Sequence, residues 1–324
     1  MSEFHIHTVR VGEINPHPNA DSLSITRVHG GYPCIIRTGE LHEGDLAVYI
    51  PVDALLHVSR PMFAFLAKQA NKDGWARIKA LRLRGIFSMG LLLPADPGWA
   101  EGEDVRERLG IEKYDPPDPG VEEEGMPDPG VLPVYDIEGV RRWPEVLVEG
   151  EEVVLTEKVH GANGRAVWHE GRLHVGSRNL FKAPDGNNLW ARVARSWRLE
   201  EKLRDTPYAV YFEAYGAVQD LRYGLGQGMV KGAVFDVLDV RSRRWLDVDE
   251  ADRLLAVWEL PVVPRLYRGP WSMGLSHLAE GPTVIADGAH VREGFVVRPI
   301  RERWDDRVGR VILKLHGEGY LLRK

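Results

Sequence analysis

Thr156-Glu157-Lys158-Val159-His160-Gly161-Ala162-Asn163 lies between two apolar runs, Val153, Val154, Leu155 before it and Ala166, Val167, Trp168 after it. Such runs on either side of a glycine predict two strands joined by a tight crossing, with one amine at its mouth. A lysine held there can be desolvated, lose its proton and attack phosphorus. A free lysine has a pKa near ~10.4, so only about one in two thousand is neutral at pH 7. The expectation is therefore that burial and a nearby cation, Lys314 or a bound metal, lower the pKa of Lys158. Lys-x-x-Gly alone is weak, since Lys314-Leu315-His316-Gly317 repeats it. The weight rests on the segments that follow Lys158.

The 324 residues suggest two domains, and 44% hydrophobic with 28% charged residues describe an ordinary globular chain. No apolar run reaches membrane-spanning length, and the start, Met1-Ser2-Glu3-Phe4-His5, is unlike a signal peptide. The expectation is a cytoplasmic protein, monomeric and without a membrane partner. Cys34 is the sole cysteine, which excludes an internal disulfide and a cysteine-rich zinc site. His17, His29, His42 and His57 lack tight ligand spacing, so no structural zinc is expected. A net charge of −6 argues against a nucleic-acid partner until its source is traced. Residues 115–130 carry six carboxylates and no basic residue, which accounts for the whole excess. Local basic patches then decide the matter. Arg77, Lys79, Arg82 and Arg84 form one; Arg298, Arg301, Arg303, Arg307, Arg310 and Lys314 form another.

Residues 115–132 are acidic, rich in Pro and Gly and without apolar periodicity, so they read as a linker between domains 1–114 and 133–324. The first domain reads as many short strands and one helix, at 61–69, which suggests a small OB-type β-barrel that binds nucleic acid. The second reads as strands at 152–155, 165–168, 172–176, 208–214, 232–240, 294–298 and 310–315, with helices at 189–203 and 251–259. Short turns between strands imply antiparallel sheets with flanking helices, an α+β class.

Five segments of the second domain follow one another: the Lys158 octet; Ser177-Arg178-Asn179; Tyr211-Phe212-Glu213-Ala214-Tyr215-Gly216; Val234-Phe235-Asp236; and Glu293-Gly294-Phe295-Val296-Val297, closed by Leu313-Lys314. This order resembles the covalent nucleotidyltransferases, the superfamily of ATP-dependent ligases and mRNA capping enzymes. Lys-x-His-Gly-x-Asn is similar to the RNA-ligase branch. The Tyr135-Asp136-Ile137-Glu138 lead-in and the upstream OB-like region resemble Deinococcus-type RNA ligases.

The resemblance implies ATP with Mg2+ or Mn2+, a lysyl-AMP intermediate on Lys158, and sealing of nicked duplex RNA or an RNA-containing hybrid at an RNA 3′-OH. It places the Glu157 backbone at the adenine edge and lets Gly161 bring the turn close to the nucleotide. Asn163 and Arg178 would contact ribose or phosphate, Glu213 the ribose hydroxyls, and Phe235 the purine face. Glu293 would hold the metal and Lys314 the phosphate. His160 is required in similar RNA ligases. The superfamily's last motif usually offers Lys-x-Lys; here Ile312 and His316 flank Lys314, and Arg310 or His316 is left for the second role. Two rivals share the pattern: a capping guanylyltransferase that uses GTP, and a nucleic-acid-binding protein with an inactive ligase fold.

Overall fold

Val153, Val154 and Leu155 are all buried, which places strand Glu152–Glu157 inside a sheet with both faces covered. In this computed structural model, residues 4–114, 125–216 and 219–323 are described. Strand Glu152–Glu157 runs antiparallel to Gly294–Pro299 on one side and to Arg265–Pro270 on the other. Leu313–His316 and Glu138–Gly139 complete this five-stranded sheet. The chain then crosses through residues 158–161 into a second, six-stranded antiparallel sheet. Its order is Phe181–Lys182, Arg172–Ser177, Ala162–His169, Tyr208–Gly216, Val230–Asp239 and Arg244–Trp245. The mixed α+β class and the antiparallel sheets match the expectation.

Strand alternation gives the second sheet two different faces. Gly164, Phe212 and Val234 share one, as do Ala166, Val210 and Val237. Helices Leu189–Ser196, Leu199–Leu203 and Val248–Val257 cover this face, with Trp190 fully buried among them. A Cβ at Gly164 would lie 2.6 Å from the Phe212 ring, so only glycine lets that helix layer close. The opposite face carries Asn163 with Glu213, and Arg165 with Tyr211 and Asp236.

Local sequence explains where helix bounds differ from expectation. The run expected at 189–203 is two helices, because Arg198 adopts a left-handed conformation (φ 55°) between them. The helix expected at 251–259 begins earlier, at Val248, because Asp247 and Glu250 form a capping box. Residues 61–69 form a 3-10 helix that buries Phe63 and Leu66, three residues apart as that geometry requires. The strand expected at 310–315 is split. Gly309–Arg310 pairs with Trp304–Asp305, and Leu313–His316 joins the five-stranded sheet.

The chain packs as two units, one of residues 4–114, 140–144 and 321–323, the other of 125–139 and 145–320. Within the first unit are three three-stranded sheets and the hairpin Leu81–Leu83/Ile86–Ser88. Arg84 and Gly85, both at positive φ, make that hairpin's two-residue turn. Of the expected linker, residues 115–124 lie outside the described residues. The remainder packs: Leu132 is buried with Phe181 and Tyr211, and its carbonyl accepts a hydrogen bond from Arg165. Among the described residues no helix is long and apolar enough to cross a membrane.

A buried charge network ties the two sheets of the second unit together. Asp236 accepts from Tyr135 (2.6 Å), Arg298 (3.0 Å) and Arg310 (2.6 Å). Glu302 accepts from Arg298 as well, and from Nε and Nη2 of Arg310. Removing one partner of such a network strands the others in a low-dielectric interior. Asp236→Ala should therefore cost about 3–5 kcal/mol of stability, read as a lower urea midpoint for the second unit. A loss below about 1 kcal/mol would contradict this reading.

Candidate active site

Lys158 continues the alternation of Val154 and Thr156, so it shares a sheet face with Val296 and Lys314. Its N–H donates to the Gly294 carbonyl (3.0 Å), which extends the ladder by one bond. Its Nζ lies 2.8 Å from Glu293 Oε1. Gly294 has φ of 152°, and a Cβ there would sit 1.9 Å from the Leu315 carbonyl oxygen. Glycine is thus required where Glu293 turns toward the lysine. Glu157, on the other face, is buried and accepts from Thr283 Oγ1 and the Val284 N–H, with Arg292 at 3.8 Å. Its side chain anchors the 283–292 segment against strand Glu152–Glu157.

The crossing is tight. A Cβ at Gly161 would meet the Ala214 carbonyl oxygen at 2.2 Å, so this backbone lies directly on strand Tyr208–Gly216. His160 is held at three points. Its N–H donates to Tyr223 Oη (2.6 Å), Nε2 meets Asp220 Oδ1 (2.9 Å), and Nδ1 meets Tyr320 Oη (2.9 Å). The next strand sets Asn163 opposite Glu213. On strand Val230–Asp239 a bulge pairs Asp236 with Tyr211 and Val234 with Phe212, leaving Phe235 unopposed. The extra residue re-aims the Phe235 ring, which is half-buried against Tyr135 at 4.8 Å. Arg178 follows strand Arg172–Ser177, where Ser177 Oγ accepts from the Asn179 and Leu180 N–H groups.

Electrostatics at the site depart from expectation in one respect. Burial pulls the Lys158 ammonium down, but the Glu293 and Glu213 carboxylates outweigh it and hold its pKa above the ordinary lysine value. Lys158 is therefore an ion-paired ammonium here, not an amine poised by a cation. Burial pushes Glu293 up, yet Lys158, His160 and His316 hold it well below the usual carboxylate range. Burial, aided by Glu293, pushes Glu213 up to about 8 against the pull of Lys158. Burial lowers His316, whose Nε2 lies 3.4 Å from Glu293 Oε1.

Of the two residues left for the second role of the last motif, Arg310 is not free. It is bound to Asp236 and Glu302 and stacked on Trp245 at 4.2 Å. His316 lies beside Glu293 and Lys158, on the same strand face as Lys314. The basic patch of the first unit divides as well. Arg77 pairs with Asp53 (2.6 Å) and stacks on Tyr114 at 3.7 Å, whereas Lys79, Arg82 and Arg84 are exposed on and before the hairpin. Asp220, Tyr223, Thr283 and Tyr320 were not expected from sequence. Each reaches the site through contacts at least 60 positions away, which no local spacing signals.

Among the described residues, seven buried side-chain polar atoms lack a hydrogen-bond partner, and Asn163 Oδ1, Arg178 Nε and Glu293 Oε2 are three of them. Orphaned buried polar atoms are costly, and their presence in three expected site residues suits a missing polar ligand. Among the described residues, no group of three or more His, Cys, Asp or Glu side chains could hold a metal alone.

A family model described as RNA ligase matches residues 151–316, and one described as an OB-fold domain matches residues 6–95. No curated protein sequence matches the chain. Among solved structures, a lysine-to-alanine variant of Naegleria gruberi RNA ligase with ATP and Mn is similar at 23% identity and a TM-score of 0.86. A glutamate-to-alanine variant of that ligase with AMP and Mn gives 24% and 0.88, and the ligase with pyrophosphate 24% and 0.87. Each alignment covers 98% of both chains, so the likeness of fold runs the whole length. With the ligase model spanning residues 151–316 of the 324, the chain belongs to the RNA ligase family.

Proposed function

We propose that the protein is an ATP-dependent RNA ligase that seals 3′-OH/5′-phosphate nicks whose 3′-OH end is RNA. The observation that carries this reading is Lys158 Nζ, 2.8 Å from Glu293 and within electrostatic reach of Glu213, on a sheet face shared with Lys314. Lys158 gives up its proton, and Nζ attacks the α-phosphorus of ATP as the bond to pyrophosphate breaks. Lysyl-AMP results. The AMP then passes to the 5′-phosphate of the nick, forming a 5′-5′ pyrophosphate and freeing the lysine. Attack by the 3′-OH on that 5′-phosphate makes the phosphodiester and expels AMP. The similar Naegleria ligase was solved with ATP, with AMP and with pyrophosphate, the whole nucleotide and its two fragments.

Each side chain has a task suited to its position. Phe235, lifted by the bulge, stacks on the purine, and Glu213 binds the ribose hydroxyls opposite Asn163. Asn163 Oδ1 and Arg178 Nε, now without partners, take the ribose and phosphate groups. Lys314 neutralises phosphate charge from the neighbouring strand. A divalent cation fits the donor set, because such ions take one carboxylate with the nucleotide's own phosphates, and Glu293 Oε2 is unclaimed. Glu293 would hold Mg2+ or Mn2+, which supplies charge neutralisation at the phosphates. Gly161 brings the backbone within reach of the nucleotide, and the Glu157 backbone meets the adenine edge.

The first unit binds the nicked duplex through Lys79, Arg82 and Arg84. Arg77, already paired with Asp53, serves structure instead. RNA preference at the 3′ end would come from 2′-OH contacts and A-form shape.

Two experiments test this. Labelled ATP should mark the protein on a denaturing gel and labelled GTP should not, with Lys158→Ala unmarked by either. Marking by GTP alone favours a capping enzyme, and marking by neither favours an inactive ligase fold. Changing Lys79, Arg82 and Arg84 together to Ala should weaken nick sealing at least about tenfold, by loss of phosphate contacts, and leave Lys158 labelling within about twofold. Equal loss of both steps contradicts the duplex-binding role.

A further inference from the structure

The basic hairpin Leu81–Leu83/Ile86–Ser88 is too small to hold its own shape. It pairs Leu81 with Ser88, Arg82 with Phe87 and Leu83 with Ile86, and an isolated two-stranded hairpin is at best marginally stable in water. Its turn also carries Arg84 in the left-handed region (φ 46°), which disfavours any residue with a Cβ. The support comes from outside the hairpin. At its root, Ser88 Oγ accepts from the Ile35 N–H (3.0 Å) and the Met89 N–H donates to the Pro33 carbonyl (2.7 Å). Both bonds tie it to strand Tyr32–Arg37.

At the turn the grip comes from a different loop, residues 17–22, between strands Asn15–Pro16 and Leu23–Val28. Asn19 Nδ2 donates to the Arg84 carbonyl (2.9 Å), and His17 Nε2 lies 3.2 Å from the Leu83 carbonyl oxygen. Two side chains of one loop thus hold two successive carbonyls of the turn. The loop is itself stiff. Pro16 and Pro18 bracket His17, and each ring fixes its own φ and restricts the residue before it. The Asn19 N–H donates to His17 Nδ1 (3.1 Å) and the His17 N–H to the Leu23 carbonyl (3.1 Å), which sets the gripping side chains relative to each other. His17 is buried, whereas Asn19, Lys79, Arg82 and Arg84 are exposed. The grip takes backbone groups only and leaves the arginine side chains toward solvent.

We propose that Asn19 is a positioning residue for duplex engagement, holding the hairpin turn so that Arg82 and Arg84 meet the phosphate backbone as a fixed pair. Ordering a loose ribbon on binding would weaken its hold on phosphate, and a ribbon ordered beforehand avoids that loss. This rests on the duplex-binding reading above and adds the residue that presents those charges.

The test is Asn19→Ala, an exposed substitution that leaves the core intact, in sealing of a nicked RNA duplex. The KM for the duplex should rise about fivefold, the net worth of one hydrogen bond. The kcat and Lys158 labelling should stay within about twofold, as for a loss confined to binding. In protein already carrying Lys79→Ala, Arg82→Ala and Arg84→Ala, the same change should add less than about 1.5-fold, because no charge remains to be positioned. A KM unchanged by Asn19→Ala alone overturns the proposal. So does a full further loss in the triple variant, which would make Asn19 a direct contact. A triple variant that seals as well as wild type refutes the duplex-binding reading instead, so the two failures are distinguishable.

Discussion

The site exists because Gly161 leaves no room for a side chain. Its backbone lies against the carbonyl of Ala214, where a Cβ would approach to 2.2 Å, and this contact welds the end of one sheet to the start of the next. The crossing is only residues 158–161, so Lys158 at one end and Asn163 just past the other are fixed relative to each other. Glu293 and Glu213 then arrive from the two sheets as consequences of strand register. The buried Asp236–Arg298–Arg310 network holds those sheets at the spacing the crossing demands. Precision here comes from backbone packing, which is stiff, before it comes from side-chain hydrogen bonds.

The charge pattern resolves an apparent conflict between the proposed nucleophile and its environment. A buried lysine alone would favour its neutral form, yet two carboxylates face this one and hold the proton on. The cost of burying Glu293 is offset by the same pair and by two histidines, so each ion is the other's main compensation. The arrangement suits a resting state that keeps the amine ordered and unreactive. In the proposed reaction, attack on phosphorus requires breaking the Lys158–Glu293 pair, which would couple activation of the amine to whatever next occupies Glu293.

What could be read from sequence was what local pattern encodes. The Lys158 octet between two apolar runs, the order of the later segments and the alternation that sets Asn163 against Glu213 all follow from short-range rules. Phe235 was expected on a strand, but a bulge that frees its ring leaves no mark in composition. Arg310 stood in a basic strand like any surface arginine, and only the fold turns it inward onto Asp236 and Trp245. Tyr320 and Asp220 meet His160 across separations of 160 and 60 residues, and nothing in spacing links them. The Lys158 pKa expected to be lowered by burial and a cation is instead raised, because the fold sets Glu293 and Glu213 beside it, which local spacing does not signal.

The account is tested most directly by locating the nucleotide on the chain. Protein incubated with ATP and Mn2+ would be digested and its peptides mapped by mass spectrometry. The prediction is a single AMP adduct, on Lys158. An adduct on another residue, or efficient strand joining with Lys158 unmodified throughout, would contradict it.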